Sequence, residues 1–379
     1  MKSLVRRSAA CAVVALTILG VVAQPALATH KPVHHHKLPQ VTVHRHRAYA
    51  SNVWLLKLKV SDFRFNPVIG HNRMDGPRET LGHMAKRTHA LAGINTDAFY
   101  WTPHTPPRGG FVRNGVVDKT QNNNHEANLY FTSANKAYIG RAPYKITANG
   151  RRVTALNDVH AIFDRRLTEL TPEHMSTSLP KHCEVVTLAA ATKKVHNKKV
   201  HGYTVASVQK TRHFTALHTA SNRALVACRP NDLTWVGHHM QRHTWVNLHF
   251  AWHVPGLGKA HITALASGVS VLIRAGKRYH DPSRYFRPIG RNPETIACVS
   301  RDHKQVMLGI VDGRSTKSAG MSYDQVRAYM MKQGCWTGLA FDGGGSTEMV
   351  VHNKILNHPS DGHQRTVPSG LFVYRKPKH

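Results

Sequence analysis

Three consecutive glycines bracketed by carboxyls constrain this chain more than any other feature: Asp342-Gly343-Gly344-Gly345-Ser346-Thr347-Glu348. Lacking Cβ atoms, the glycines let a ligand approach the backbone and permit positive φ angles. Leu339-Ala340-Phe341 precede the loop and Met349-Val350-Val351 follow it, so the segment reads as strand, tight loop, strand. A loop of this kind holds amides, hydroxyls and acids at a rigid strand end, which is how a small polar site is built.

The surrounding sequence extends that pattern. Gln305–Val311 is a buried-strand candidate ending at Asp312-Gly313-Arg314, and Ser322-Tyr323-Asp324-Gln325 is a capping box that opens a helix closed by Gly334. Val326, Tyr329 and Met330 fall on the core side of that helix. Upstream, residues 53–60 alternate as a strand, 90–95 form another, and Asn114-Gly115 marks a hairpin within 111–117. Strand–helix–strand with a glycine loop predicts an α+β class, with mixed sheets and flanking helices. No repeat of the solenoid type is present. Residues 51–379 read as one catalytic domain, with the Thr-, Val- and His-rich stretch at about 150–260 as an insertion. Trp235, Trp245 and Trp252 in that stretch read as core packing rather than as a sugar-binding platform.

The N-terminus and the charge bound the setting. Lys2, Arg6 and Arg7, an apolar run to about Ala23, and Ala26-Leu27-Ala28 read as a signal peptide over residues 1–28. No segment is long enough for a transmembrane span, so the expected location is secreted, extracellular or cell-wall associated. Residues 29–50, rich in His, Lys and Arg, read as a disordered basic arm. The formal charge of +32 points to an anionic partner. With aromatics at only 7% and the charge spread through the chain, that partner is read as an anionic glycopolymer rather than nucleic acid. Four cysteines remain after processing, and proximity pairs Cys183 with Cys228 and Cys298 with Cys335 out of three connectivities.

Several motifs in a shared order then resemble one family. Ala92-Gly93-Ile94-Asn95 with Phe99-Tyr100, Gly109-Gly110-Phe111, Asn114-Gly115-Val116-Val117, Arg291-Asn292-Pro293-Glu294-Thr295, Val311-Asp312-Gly313-Arg314, Gly320-Met321-Ser322, the triple-glycine loop, and His358-Pro359-Ser360-Asp361-Gly362 with Arg365 follow one another as in the phosphodiester glycosidase family. Two departures stand out. Thr96-Asp97-Ala98 replaces a pair of glycines, and Glu294 stands where the family commonly has an arginine.

The resemblance implies a hydrolase that cleaves a sugar–phosphate bond in a cell-wall polymer or glycoconjugate. A sugar 1-phosphodiester already carries a good leaving group at C1, so its hydrolysis calls for charge stabilisation more than for a strong acid. Arg291, Arg314 and Arg365 are candidates for holding the phosphate, because planar guanidinium donors match its oxygens. The amides of Gly343, Gly344 and Gly345 and the hydroxyls of Ser346 and Thr347 are candidates for an anionic oxygen. Asn95 and Asp97 join them as substrate-binding candidates. Asp342 and Glu348 are the candidates for water activation, attack at C1 or binding of a sugar hydroxyl, with Asp312 or Asp97 in support.

No cofactor is required by this reading, although Asp97, Asp312 and Asp342 offer oxygen ligands of the kind calcium takes. The alternative is a non-catalytic binder of anionic wall glycopolymers. Such a binder gains nothing from carboxylates beside its anion, whereas a hydrolase needs them. The phosphate loop of the actin and sugar-kinase fold also carries glycines after an acid, but it opens its domain, and an exported chain does not meet ATP.

Overall fold

The computed structural model describes residues 40–376, apart from 75, 102–105, 173–175, 212–214, 219–221 and 285–287. The signal-peptide segment and residues 29–39 of the basic arm lie outside the described residues. The rest of the arm corrects the expectation of disorder: Val43–Ala48 is an edge strand, antiparallel to Ser51–Lys59. Pairing orders it where composition alone would not. Tyr49 and Ala50 make the connecting turn at φ 48° and 54°, the mirrored turn that matches strand twist.

Strands dominate, with thirty of them against four α-helices among the described residues. The fold is therefore mostly β with few helices, and the α+β expectation is corrected. The physical reason lies in the Thr- and Val-rich middle, whose β-branched residues suit a pleated surface. It forms sheets where helices would have been needed. Only Ala155–Leu156 and Thr168–Leu170 pair in parallel among the described strands, so the sheets are mixed at that one point.

Two sheets position the glycine loop. The larger runs Val43–Ala48, Ser51–Lys59, Gln305–Val311, Glu294–Val299, Thr337–Ala340, Ser270–Arg274 and Lys277–Arg278. Its inner strands are buried on both faces, which explains their nearly unbroken hydrophobic sequence. Along Ser51–Lys59, Trp54, Leu56 and Leu58 enter one core, while Val53 and Leu55 enter another under the helix Tyr323–Lys332. That helix carries the expected capping box at Ser322 and Gln325, and it buries Val326, Tyr329 and Met330. Each fully buried aliphatic side chain contributes roughly 1.5–3 kcal/mol.

The second sheet runs Lys354–Ile355, Met349–Val351, Ala92–Asn95, Ser369–Arg375 and Phe63–Ile69. It packs Ile94, Met349, Leu371 and Val373 onto the first core. Residues 144–252 supply three further sheets and a core that includes Ile146, Val186, Leu225 and Val246. Trp235 and Trp252 pack against that core. Both disulfides join the expected partners, Cys183 to Cys228 and Cys298 to Cys335. Among the described residues no helix is long and apolar enough to cross a membrane.

Candidate active site

The glycine loop is the crossover between the two sheets. Thr337–Ala340 pairs with Glu294–Val299 in the first sheet. The chain then makes one 3-10 turn at Gly344–Ser346 and enters the second sheet as Met349–Val351 beside Ala92–Asn95. Asn95 stands at this joint. Its Nδ2 donates to the Asp342 carbonyl at 2.7 Å, and its Oδ1 accepts from the Thr295 hydroxyl at 2.6 Å and the Glu348 amide at 3.2 Å. Expected to contact substrate, Asn95 is instead buried and holds three segments in register. Each such bond is worth about 1 kcal/mol net, and an orphaned partner costs more.

The glycines act chiefly through what they leave out. The Gly344 amide donates to the Pro293 carbonyl at 2.9 Å, and the Gly343 amide bonds the Asp342 carboxylate. These amides are therefore engaged within the protein, which corrects the expectation of a free row of donors. A Cβ on Gly345 would collide with the Arg365 guanidinium and the Asp361 carboxylate. At Gly344 a Cβ would lie 3.1 Å from Arg314 Nη2, at a φ of 61° that disfavours any other residue. The bare backbone makes room for two arginines.

Those arginines and two acids line a cavity of about 310 Å³. Its lining includes Asp342, Glu294, Arg314, Arg365, Tyr323, Asn292 and Trp101, with the three glycines as floor. Arg314 donates to Asn292 Oδ1 at 3.0 Å. Arg365 pairs with Asp361 at 2.6 Å, reaches Ser346 Oγ at 3.4 Å, and lies 5.0 Å from the centre of the Trp101 ring. The Ser346 hydroxyl also bonds Asp342, so it links that carboxylate to Arg365.

The two acids titrate apart. Burial raises Asp342 to about 6, opposed by the Ser346 hydrogen bond and the Arg365 charge. Burial raises Glu294 well above the carboxyl range, and the negative charge of Asp342 adds to the effect while Arg314 opposes it. Asp342 thus gives up its proton more readily than Glu294 does. One cavity holds a base and an acid of the same chemical type, separated by environment.

Other expected residues lie outside this lining. Glu348 is buried beneath Arg365, accepting that residue's amide at 3.0 Å through Oε1, while Oε2 has no hydrogen-bond partner among the described residues. Asp312 accepts the His358 amide at 3.2 Å and bonds the Asn357 side chain, anchoring the segment that leads to Arg365. Arg291 donates to the carbonyls of Gly320 and Tyr49 and so ties backbone to backbone. Asp97 accepts from the Gly109 amide, and the Thr347 hydroxyl is buried without a hydrogen-bond partner among the described residues. Asp97, Asp312 and Asp342 are thus engaged with separate segments. No group of three or more potential metal ligands occurs among the described residues.

Burial raises Glu348 to about 8. A carboxyl whose folded pKa exceeds its unfolded value holds stability below the unfolded value and loses it as pH rises. Stability should therefore fall between about pH 4.5 and 8 by an amount on the order of a few kcal/mol. Chemical denaturation of Glu348→Gln across that window should show a flatter profile. A profile parallel to that of the parent chain would remove Glu348 as the source.

Sequence reasoning passed over Glu294, Tyr323 and Trp101. For Glu294 a signal was present: an acid opens the otherwise apolar run Ile296-Ala297-Cys298-Val299, and a buried acid there needs a purpose. Trp101 is 71% exposed and had only its place after Phe99-Tyr100 to mark it.

The model of the phosphodiester glycosidase family matches residues 184–374. A prophage-derived uncharacterized protein of Bacillus subtilis is 36% identical over 73 residues, which is 19% of this chain and 11% of that relative. Two solved structures share the fold. One is a hypothetical protein from Synechocystis with TM-score 0.70 at 15% identity, covering 88% of this chain and 61% of that one. The other is a putative exported protein from Burkholderia pseudomallei with TM-score 0.66 at 20% identity, covering 85% and 74%. The chain thus spans about a tenth of the curated relative and three fifths of the Synechocystis protein. With the family model spanning half of its length, and the glycine loop and both cavity acids inside the matched segment, the chain belongs to the phosphodiester glycosidase family.

Proposed function

We propose that the chain hydrolyses a phosphate-linked sugar in this cavity, as a phosphodiester glycosidase. The observation that carries the reading is the convergence of Arg314, Arg365, Asp342 and Glu294 on one space. The guanidiniums suit the phosphate, whose charge grows as it departs. The flat face of Trp101 suits the apolar face of a sugar ring. As the C1–O bond breaks, its electron pair goes to the phosphate oxygen, which takes the proton of Glu294. Asp342 faces the positive charge developing at C1 and receives the proton of the water whose oxygen bonds C1. Both carboxyls then return to their starting states through solvent.

The proposed substrate is a phosphate-linked sugar of a cell-wall polymer or glycoconjugate met outside the cell. Two disulfides and the formal charge of +32 support that setting. The test is release of free sugar from a glycosyl 1-phosphodiester, compared with a neutral glycoside of the same sugar. The phosphodiester is expected to turn over at least about 100-fold faster, since a site built for a polar group rejects analogues lacking it. Equal rates, or no release from the phosphodiester, would overturn the reading.

A further inference from the structure

The strands Glu184–Val195 and Lys198–Lys210 form a hairpin that outruns its sheet. Arg223–Ala227 accompanies it only as far as Leu188, and Trp245–Val246 meets it only at Tyr203 and Thr204. Beyond those points, among the described strands, Ala191–Val195 and Lys198–Gly202 pair only with each other. The base is clamped: the Trp245 ring fills the space where a Cβ on Gly202 would lie, and Lys193 Nζ stands 4.4 Å from that ring. The tip is a mirrored turn, with His196 and Asn197 at φ 46° and 62°. The geometry describes an arm held in register, although a lone two-stranded ribbon is marginal in water.

Every formal charge on the arm has one sign. Lys193, Lys194, Lys198 and Lys199 are exposed on three successive rungs, and no acid occurs from Val185 to Lys210. Lys194 lies directly opposite Lys199, an arrangement that works against strand pairing. Lysines on an open edge discourage aggregation, but that purpose does not call for a like-charged rung. An anion bridging the pair removes the repulsion.

The composition narrows the anion. From Ala189 to Gly202 there is no Phe, Tyr or Trp, so the arm offers stacked bases no large aromatic platform. The exposed large apolar residues there are Val195 and Val200, too small a face to enter a lipid interface. We propose that this hairpin is a docking arm for a linear polyanion whose charges are phosphodiesters along a flexible polyol chain. It reads charge spacing alone. The inference stands on the arm and does not require the hydrolytic reading of the cavity.

Labelled linear poly(glycerol phosphate) is the probe, titrated against the full chain at two salt concentrations. Changing Lys193, Lys194, Lys198 and Lys199 to Gln is expected to weaken binding at least about tenfold. It should also reduce the slope of log affinity against log salt by about 3, the value for four phosphate contacts on a flexible strand. Lys59, Lys304, Lys317 and Lys354, exposed elsewhere, form the control set, and their replacement by Gln should cost under threefold. Equal losses from both sets would show a general charge effect and overturn the proposal. So would tighter binding of single-stranded DNA or of anionic phospholipid vesicles at equal phosphate. Because Lys194→Gln/Lys199→Gln relieves a repulsion, that pair is expected to fold at least as stably and still to weaken binding. Unchanged binding in a folded pair would also overturn the proposal. Asp342→Asn should bind the probe normally, which separates this test from that of the cavity.

Discussion

Asp342→Asn is expected to lower kcat on a glycosyl phosphodiester by about 10³-fold or more, in line with the loss of a preorganised charge at a reacting centre. The asparagine keeps the size of the side chain and leaves the Asn95 bond to the Asp342 carbonyl in place. Fold and binding of an unreactive phosphonate analogue should therefore change little. In the parent chain, activity should decline as pH falls through about 6, where Asp342 takes up its proton, and this limb should vanish in the residual activity of the variant. Activity within tenfold of the parent would displace Asp342 from the centre.

Glu294→Gln is expected to cost about 10²–10⁴-fold, the usual range for a lost general acid. The effect should grow with the basicity of the leaving group, because a poor leaving group depends most on the proton. Burial and the neighbouring charge of Asp342 favour the protonated form of Glu294. Activity in the parent should therefore fall only at pH well above the carboxyl range, as this proton is lost. Glutamine should abolish that alkaline limb. A variant with the same limb and the same leaving-group dependence would remove Glu294 from the acid role.

Much of the site was legible because local rules and site chemistry coincide there. Three glycines between apolar triplets could be read as strand, loop, strand, and the capping box at Ser322 placed the helix behind it. Arg314, Asp342 and Arg365, which come from separate motifs, line one cavity. What the motifs concealed is depth. Asn95, Asp312 and Glu348 lie close in motif order to the cavity residues, yet their carboxyl or amide groups are taken up by backbone donors at the sheet crossover. One sequence position separates a side chain facing the cavity from one facing the joint, and composition does not record that difference.

Glu294 illustrates the converse. It reads as a departure from a pattern, and only the register that sets Ile296 against Ala340 brings the start of its strand beside the glycine loop. The long hairpin was invisible for another reason. Residues 184–210 carry β-branched residues and lysines with no chemical motif, and the significance of Lys194 and Lys199 arises only from the rung that sets them opposite.

Hydrolysis of a defined sugar 1-phosphodiester in oxygen-18 water tests the central claim most directly. A cavity that sets Asp342 against C1 and two guanidiniums against the departing phosphate predicts that the label appears on the anomeric oxygen of the released sugar. Label in the phosphate product would mean that the P–O bond breaks, and it would contradict the assignment of these residues.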